Sequence, residues 1–194
     1  QYVLNIALQK AQLTTHTGQI IIGDTLVELA RQYQLAETIV RRLSSIYEPM
    51  LLRAIADGLK IDLSSVETAT ASSAALSEYF SHQPEIKLDI WVKEDAHGAP
   101  RLVIHRRHFG NVKESQITQE FTHSADFINL KKGAEIFGEH MGSAQAEHWV
   151  NVSRGEGEKM RQARVKDFHQ AMKWLLEDAE RGISKQRYKG LGEM

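Results

Sequence analysis

Hydrophobic and polar positions change period several times along the chain. Tyr2 to Gln9, YVLNIALQ, is rich in strand formers, and AQLTTHT follows a short break, so a strand or hairpin is predicted at the start. The period then lengthens. Thr25-x-x-Glu28 has the form of a capping box, and Leu26, Leu29, Ala30 and Tyr33 recur at helical spacing. A second helix is predicted on Ala36, Ile39, Val40, Leu43 and Tyr47. Pro49 opens a third, with Leu52, Ile55 and Ala56 inward and Gly58 as its stop. Ser64 to Ala75, SSVETATASSAA, is small and polar and reads as a linker prone to disorder, followed by a short helix from Leu76 to Phe80.

Strict alternation appears next. Ile86, Leu88, Ile90 and Val92 share one face of a predicted strand, HGAP turns the chain, and RLVIHRRHF forms the partner. Ser124 to Met141 is predicted helical, with Phe127, Leu130, Ala134 and Phe137 on one stripe. A short strand follows, then a mobile basic loop from Arg154 to Lys166. A clear helix carries Phe168, Ala171, Met172, Leu175 and Ala179, with Arg181-Gly182 as its stop, and a terminal strand covers Lys185 to Lys189. Strands and helices are segregated, so the expected class is α+β.

Composition adds mainly exclusions. The net charge is -1, so no whole-molecule field selects nucleic acid or membrane. Cysteine is absent, which removes disulfides and thiolate metal sites and fits a reducing compartment. No apolar run is long enough to span a bilayer. The chain opens inside an apolar run and closes on a glycine pair, as a piece of something longer would.

Charge is unevenly placed. Arg154 to Lys189 holds ten Lys/Arg against six Asp/Glu. On a strand, Lys185, Arg187 and Lys189 would share a face about 7 Å apart, close to the spacing of phosphates along a nucleic-acid strand. Gly190 and Gly192 could adopt positive φ and offer N–H groups to a phosphate oxygen. Solvated charges and an ordinary turn account for the same residues. In HRRHFG, His105 and Arg107 take one face and Arg106 and His108 the other, without the spacing of a metal site. Trp91, Trp149 and Trp174 fall on apolar faces and are expected in the core. His140, His148 and His169 are scattered, and read as structural or surface residues.

The closing string QRYKGLGEM, with DFHQAMKWLLEDAERGISK before it, resembles the end of the TOPRIM domain in the B subunits of DNA gyrase, which are type IIA topoisomerases. YVLNIALQKAQLTTH, GDTLVELARQYQ and RRLSSIYEPMLLRAI resemble the insert that interrupts this domain in Gram-negative gyrases, which sets the shorter topoisomerase IV paralogue aside. The resemblance implies an insert domain over residues 1–164, with a possible linker at 64–75, and a closing TOPRIM helix and strand over 165–194. It implies a cytoplasmic parent that hydrolyses ATP and negatively supercoils DNA, an A2B2 assembly with gyrase A, and Mg²⁺ and ATP as the parent's cofactors. This segment would hold neither cofactor. Its magnesium site needs a glutamate and an Asp-x-Asp pair, the latter missing from this chain, and the attacking tyrosine is carried by gyrase A. Tyr188 is then a packing or DNA-flanking aromatic, and Glu193 a salt-bridge or capping carboxylate. Lys185, Arg187, Lys189, Gly190 and Gly192 are the residues the resemblance assigns to DNA-backbone positioning, with no catalytic or metal residue in the segment. The competing reading is a stand-alone protein–protein interaction module.

Overall fold

The computed structural model describes residues 2–83, 85–141 and 149–192. In chain order these form α1 (Tyr2–Leu8), β1 (Ala11–Thr15), β2 (Ile20–Ile21), α2 (Gly23–Leu43), α3 (Pro49–Ala56), α4 (Val66–Ser81), β3 (Leu88–Glu94), β4 (Pro100–His108), β5 (Asn111–Ile117), α5 (Gln119–Thr122), α6 (Ala125–Met141), β6 (Val150–Arg154), β7 (Arg161–Val165) and α7 (Phe168–Gly192). Both sheets are antiparallel and the class is α+β. Two compact units divide the chain: residues 1–34 with 147–194, and residues 35–146.

The first unit is built from both ends of the chain. Its sheet has the order β2-β1-β6-β7, with Leu13 opposite Val152 and Val150 opposite Val165. Leu13, Ile21, Val150 and Val152 are buried, as are Phe168, Ala171, Met172, Leu175 and Ala179 of α7. The stretch expected to open as a strand is helix α1. It packs on α7 through an interface that buries Leu4 and Ala7, and the tertiary contact overrides local strand propensity. Lys10, at φ 57, turns the chain into β1.

Helix α2 is one 21-residue helix, where two were expected. The segment between Tyr33 and Ala36 has no glycine or proline, so nothing interrupts the backbone ladder. It starts at Gly23, which places Thr25 inside the first turn and rules out the Thr25–Glu28 capping box.

The supposed basic loop at Arg154–Lys166 is a β6–β7 hairpin instead. Gly155 makes it possible: at φ 101 a Cβ there would lie 2.9 Å from the Lys159 carbonyl oxygen.

The second unit is a β3-β4-β5 meander packed with α3 to α6. Its core holds Leu51, Leu52, Leu76, Phe80, Leu102, Ile104, Ile117, Phe121 and Leu130. Helix α3 ends as its sequence predicts. The Gly58 N–H donates to the Ile55 carbonyl and the Leu59 N–H to the Ala54 carbonyl, a Schellman stop with Gly58 at φ 111. The β3–β4 hairpin matches its predicted facing, with Leu88, Ile90 and Val92 half-buried. β5 pairs with β4 over its whole length and was not foreseen.

The expected linker at 64–75 is helix α4. Ser65 caps it: its Oγ accepts from the Thr68 N–H at 3.1 Å, and the Ser65 N–H donates to Thr68 Oγ1 at 3.1 Å. Small residues here are contact residues. Ala69, Ser72 and Ser73 are buried, and the two hydroxyls are satisfied: Ser72 Oγ accepts from the Asp62 N–H at 2.9 Å, and Ser73 Oγ donates to the Ile90 carbonyl at 3.2 Å.

Candidate nucleic-acid interface

Helix α7 runs from Phe168 through Gly182 to Gly192, so the expected helix stop and terminal strand do not form. Among the described residues no strand stands beside 183–189 to supply ladder partners. A helix satisfies its backbone internally, and Arg, Lys and Gln favour it. The shared cationic face therefore does not exist as foreseen. Helical geometry turns about 100° per residue, so Lys185 and Arg187 lie on nearly opposite sides of the cylinder, while position 189 falls one turn beyond 185. Gly190 and Gly192 are helical and do not make the positive-φ nest that the glycine pair implied. Lys185, Arg187 and Gly190 are exposed, and Tyr188 is 81% exposed, which excludes packing within this chain for its ring. The side chain of Lys189, the surroundings of Gly192 and all of Glu193 lie outside the described residues.

The upstream cations have other tasks. Asp178 on α7 is 3% exposed and sits under three guanidinium groups. Arg161 Nε donates to Oδ1 at 2.6 Å and Nη2 to Oδ2 at 2.8 Å; Arg154 Nη1 donates to Oδ2 at 3.0 Å. Arg181 approaches to 3.8 Å. Arg154 also donates to the Ile6 carbonyl at 3.2 Å, so the cluster ties α1, β6, β7 and α7. The hydrogen bonds from Arg161 hold the Asp178 carboxyl below its ordinary range; burial opposes this, and the bond from Arg154 adds to it. Arg164 lies 3.9 Å above the Trp149 ring and donates to Asn151 Oδ1 at 3.1 Å. Of the cations counted between Arg154 and Lys189, Arg154, Arg161 and Arg164 have partners within the fold, while Lys159, Lys166, Lys173, Lys185 and Arg187 are exposed. Sequence reasoning missed Asp178, although its signal was legible: it stands on the stripe of Ala171, Met172, Leu175 and Ala179, where a carboxylate must find partners.

The tryptophans are less buried than expected. Trp91 is 39% exposed and Trp149 36%, and Trp174 is intermediate. Trp91 meets the His105 ring edge-on at 4.5 Å. On the strand carrying HRRHFG, His105 meets Glu114 at 2.7 Å, Arg106 pairs with the buried Glu48 at 3.0 Å and Arg107 with Asp89 at 3.1 Å. His148 lies outside the described residues.

Among the described residues no three His, Asp or Glu side chains gather where a metal ion could sit. Among the described residues no helix is long and apolar enough to cross a membrane.

A family model described as the DNA gyrase B subunit insert domain matches residues 11–179. The match starts at the first residue of β1, takes in segments of both compact units and stops inside α7 at Ala179. Lys185 to Gly192 lie beyond it. Because the match spans most of the 194 residues, the chain belongs to the DNA gyrase B subunit insert domain family.

Proposed function

We propose that this chain is a segment of an ATP-dependent, cytoplasmic type II topoisomerase that negatively supercoils DNA. In this reading it supports DNA binding and coupling to gyrase A, and performs no chemistry alone. Residues 1–164 would be the insert and 165–194 the return into a TOPRIM domain, the family match running on to residue 179. Mg²⁺ and ATP would act elsewhere in the parent. The observation that carries the DNA role is the exposed end of α7. Lys185 and Arg187 are solvent-facing, whereas the hairpin arginines upstream are committed to Asp178 and Trp149. Exposed cations on one helix end can neutralise phosphates from either side of the cylinder, without the strand spacing first expected.

Replacing Lys185 and Arg187 with alanine in the parent protein is expected to reduce the salt dependence of DNA binding. Each lost phosphate contact lowers the log–log slope by about 0.9. An unchanged slope would favour the stand-alone protein–protein interaction module. Deleting Ala11 to Val165 from the parent is expected to weaken supercoiling and DNA binding while ATP hydrolysis without DNA persists. Unchanged supercoiling would remove the coupling role.

A further inference from the structure

The turn between β4 and β5 has two residues, Phe109 and Gly110, enclosed by the pair His108 and Asn111. Both central residues have positive φ, 47° and 80°, the pattern of a type I′ turn. Gly110 suits that geometry. Phe109 does not: asparagine or glycine is the usual choice, and a bulky side chain is strained in the left-handed region. Burial does not offset the strain, because Phe109 is 92% exposed; the His108 ring meets it edge-on at 4.3 Å. A strained, exposed aromatic at a hairpin tip has no purpose in the fold and points to an external partner.

Charge identifies the partner's class. Of the charged residues on β4 and β5 near the tip, Arg106 pairs with Glu48 and Glu114 with His105, while Lys113 and Arg107 flank the turn. Around the tip, Arg107, His108 and Lys113 are exposed, and Lys87 adjoins, its carbonyl accepting from the Arg107 N–H at 3.2 Å. Asp89 offsets part of this charge by pairing with Arg107. Apart from Val112, the surroundings are polar or cationic rather than the apolar collar expected around a protein hot spot. A ribbon with a projecting apolar wedge and cationic flanks fits a nucleic-acid groove, where the wedge meets base edges and the cations meet phosphates.

We propose that the β4–β5 tip is a DNA contact in which Phe109 inserts against the base stack of duplex DNA while Lys113, His108 and Lys87 flank the phosphates. This deepens the DNA-binding reading, and places a second contact in the compact unit that does not contain α7.

The test uses the parent complex and a linear duplex. Phe109→p-benzoylphenylalanine should photocrosslink to a DNA strand. Phe109→Asn should weaken duplex affinity about tenfold at every salt concentration, the scale of one lost aromatic–base contact, with the salt slope unchanged. Because asparagine suits the turn, the same variant should raise Tm by about 2–4 °C. A crosslink only to protein, no crosslink, or wild-type affinity in Phe109→Asn would overturn the proposal. A lowered Tm would assign Phe109 to the fold and overturn it equally. The α7 reading fails separately: unchanged salt slopes for the Lys185 and Arg187 variants, with the DNA adduct at 109 retained, would remove α7 and support the tip.

Discussion

Asp178→Ala is expected to destabilise the first unit by about 3 kcal/mol, measured by urea denaturation followed through near-ultraviolet dichroism. The variant leaves Arg154, whose side chain is only 14% exposed, without its carboxylate and with its Nε already unpaired. Arg161 is half-exposed and can rehydrate, so most of the cost arises at Arg154. The same carboxylate sets a pH limit. Its pKa in the fold is depressed below the unfolded value by Arg161 and then Arg154, so its contribution is complete above the ordinary carboxylate range. That contribution drains away as pH falls below about 4 and passes through the folded value. Asp62 and Asp95, held low by hydrogen bonds from Ser64 and from the Ala99 and His97 N–H groups, act in the same direction in the second unit. Asp178→Asn should remove the acid-side loss specific to the first unit while being destabilised at neutral pH. If Asp178→Ala unfolds at the same urea concentration as the parent sequence, the cluster holds nothing together.

Leu76→Ala is expected to cost about 3 kcal/mol in the second unit, read from the shift in its urea midpoint. Leu76 is fully buried on α4, among the residues that join helices to the β3-β4-β5 sheet. Its neighbours on the buried side, Ala69, Ser72 and Ser73, are small and close to the sheet, which leaves few side chains able to collapse into the space. A shift under about 1 kcal/mol would mean that α4 is a loosely attached segment, as its composition first implied.

That segment shows where sequence reading succeeds and fails. The β3–β4 hairpin, α3 with its glycine stop, and α6 were legible because large apolar side chains mark their buried faces at a single period. α4 was illegible because its buried face uses alanine and serine, and hydrophobicity does not distinguish a small contact residue from a small linker residue. Its cap, Ser65 with Thr68, lacks the usual acidic partner at the third position. α1 misled in the other direction: strand-forming residues were enlisted by a helix because α7 supplied an apolar surface.

The candidate interface was partly legible. Its cations are exposed, but their geometry depended on whether 183–189 extends or coils, and strand or helix is decided by partners that local sequence does not encode. The charge count from Arg154 onward also overstated the cations available to DNA. A buried acid, Asp178, engages two of them and draws a third close; its place on the apolar stripe was legible, but which arginines it takes is decided by tertiary structure.

The first unit joins residues 1–34 to residues 147–194, with β1 paired along β6 from Ala11 opposite Arg154 to Thr15 opposite Val150. During synthesis, β1 therefore leaves the ribosome long before its partner strand exists. The intervening residues form a unit of their own and can fold while β1 waits, replacing a long disordered loop with a compact one and lowering the entropy of closure. Slow or faulty folding of that middle unit would then leave an unpaired apolar strand waiting, so the defect would surface as aggregation through β1 rather than where the mutation lies.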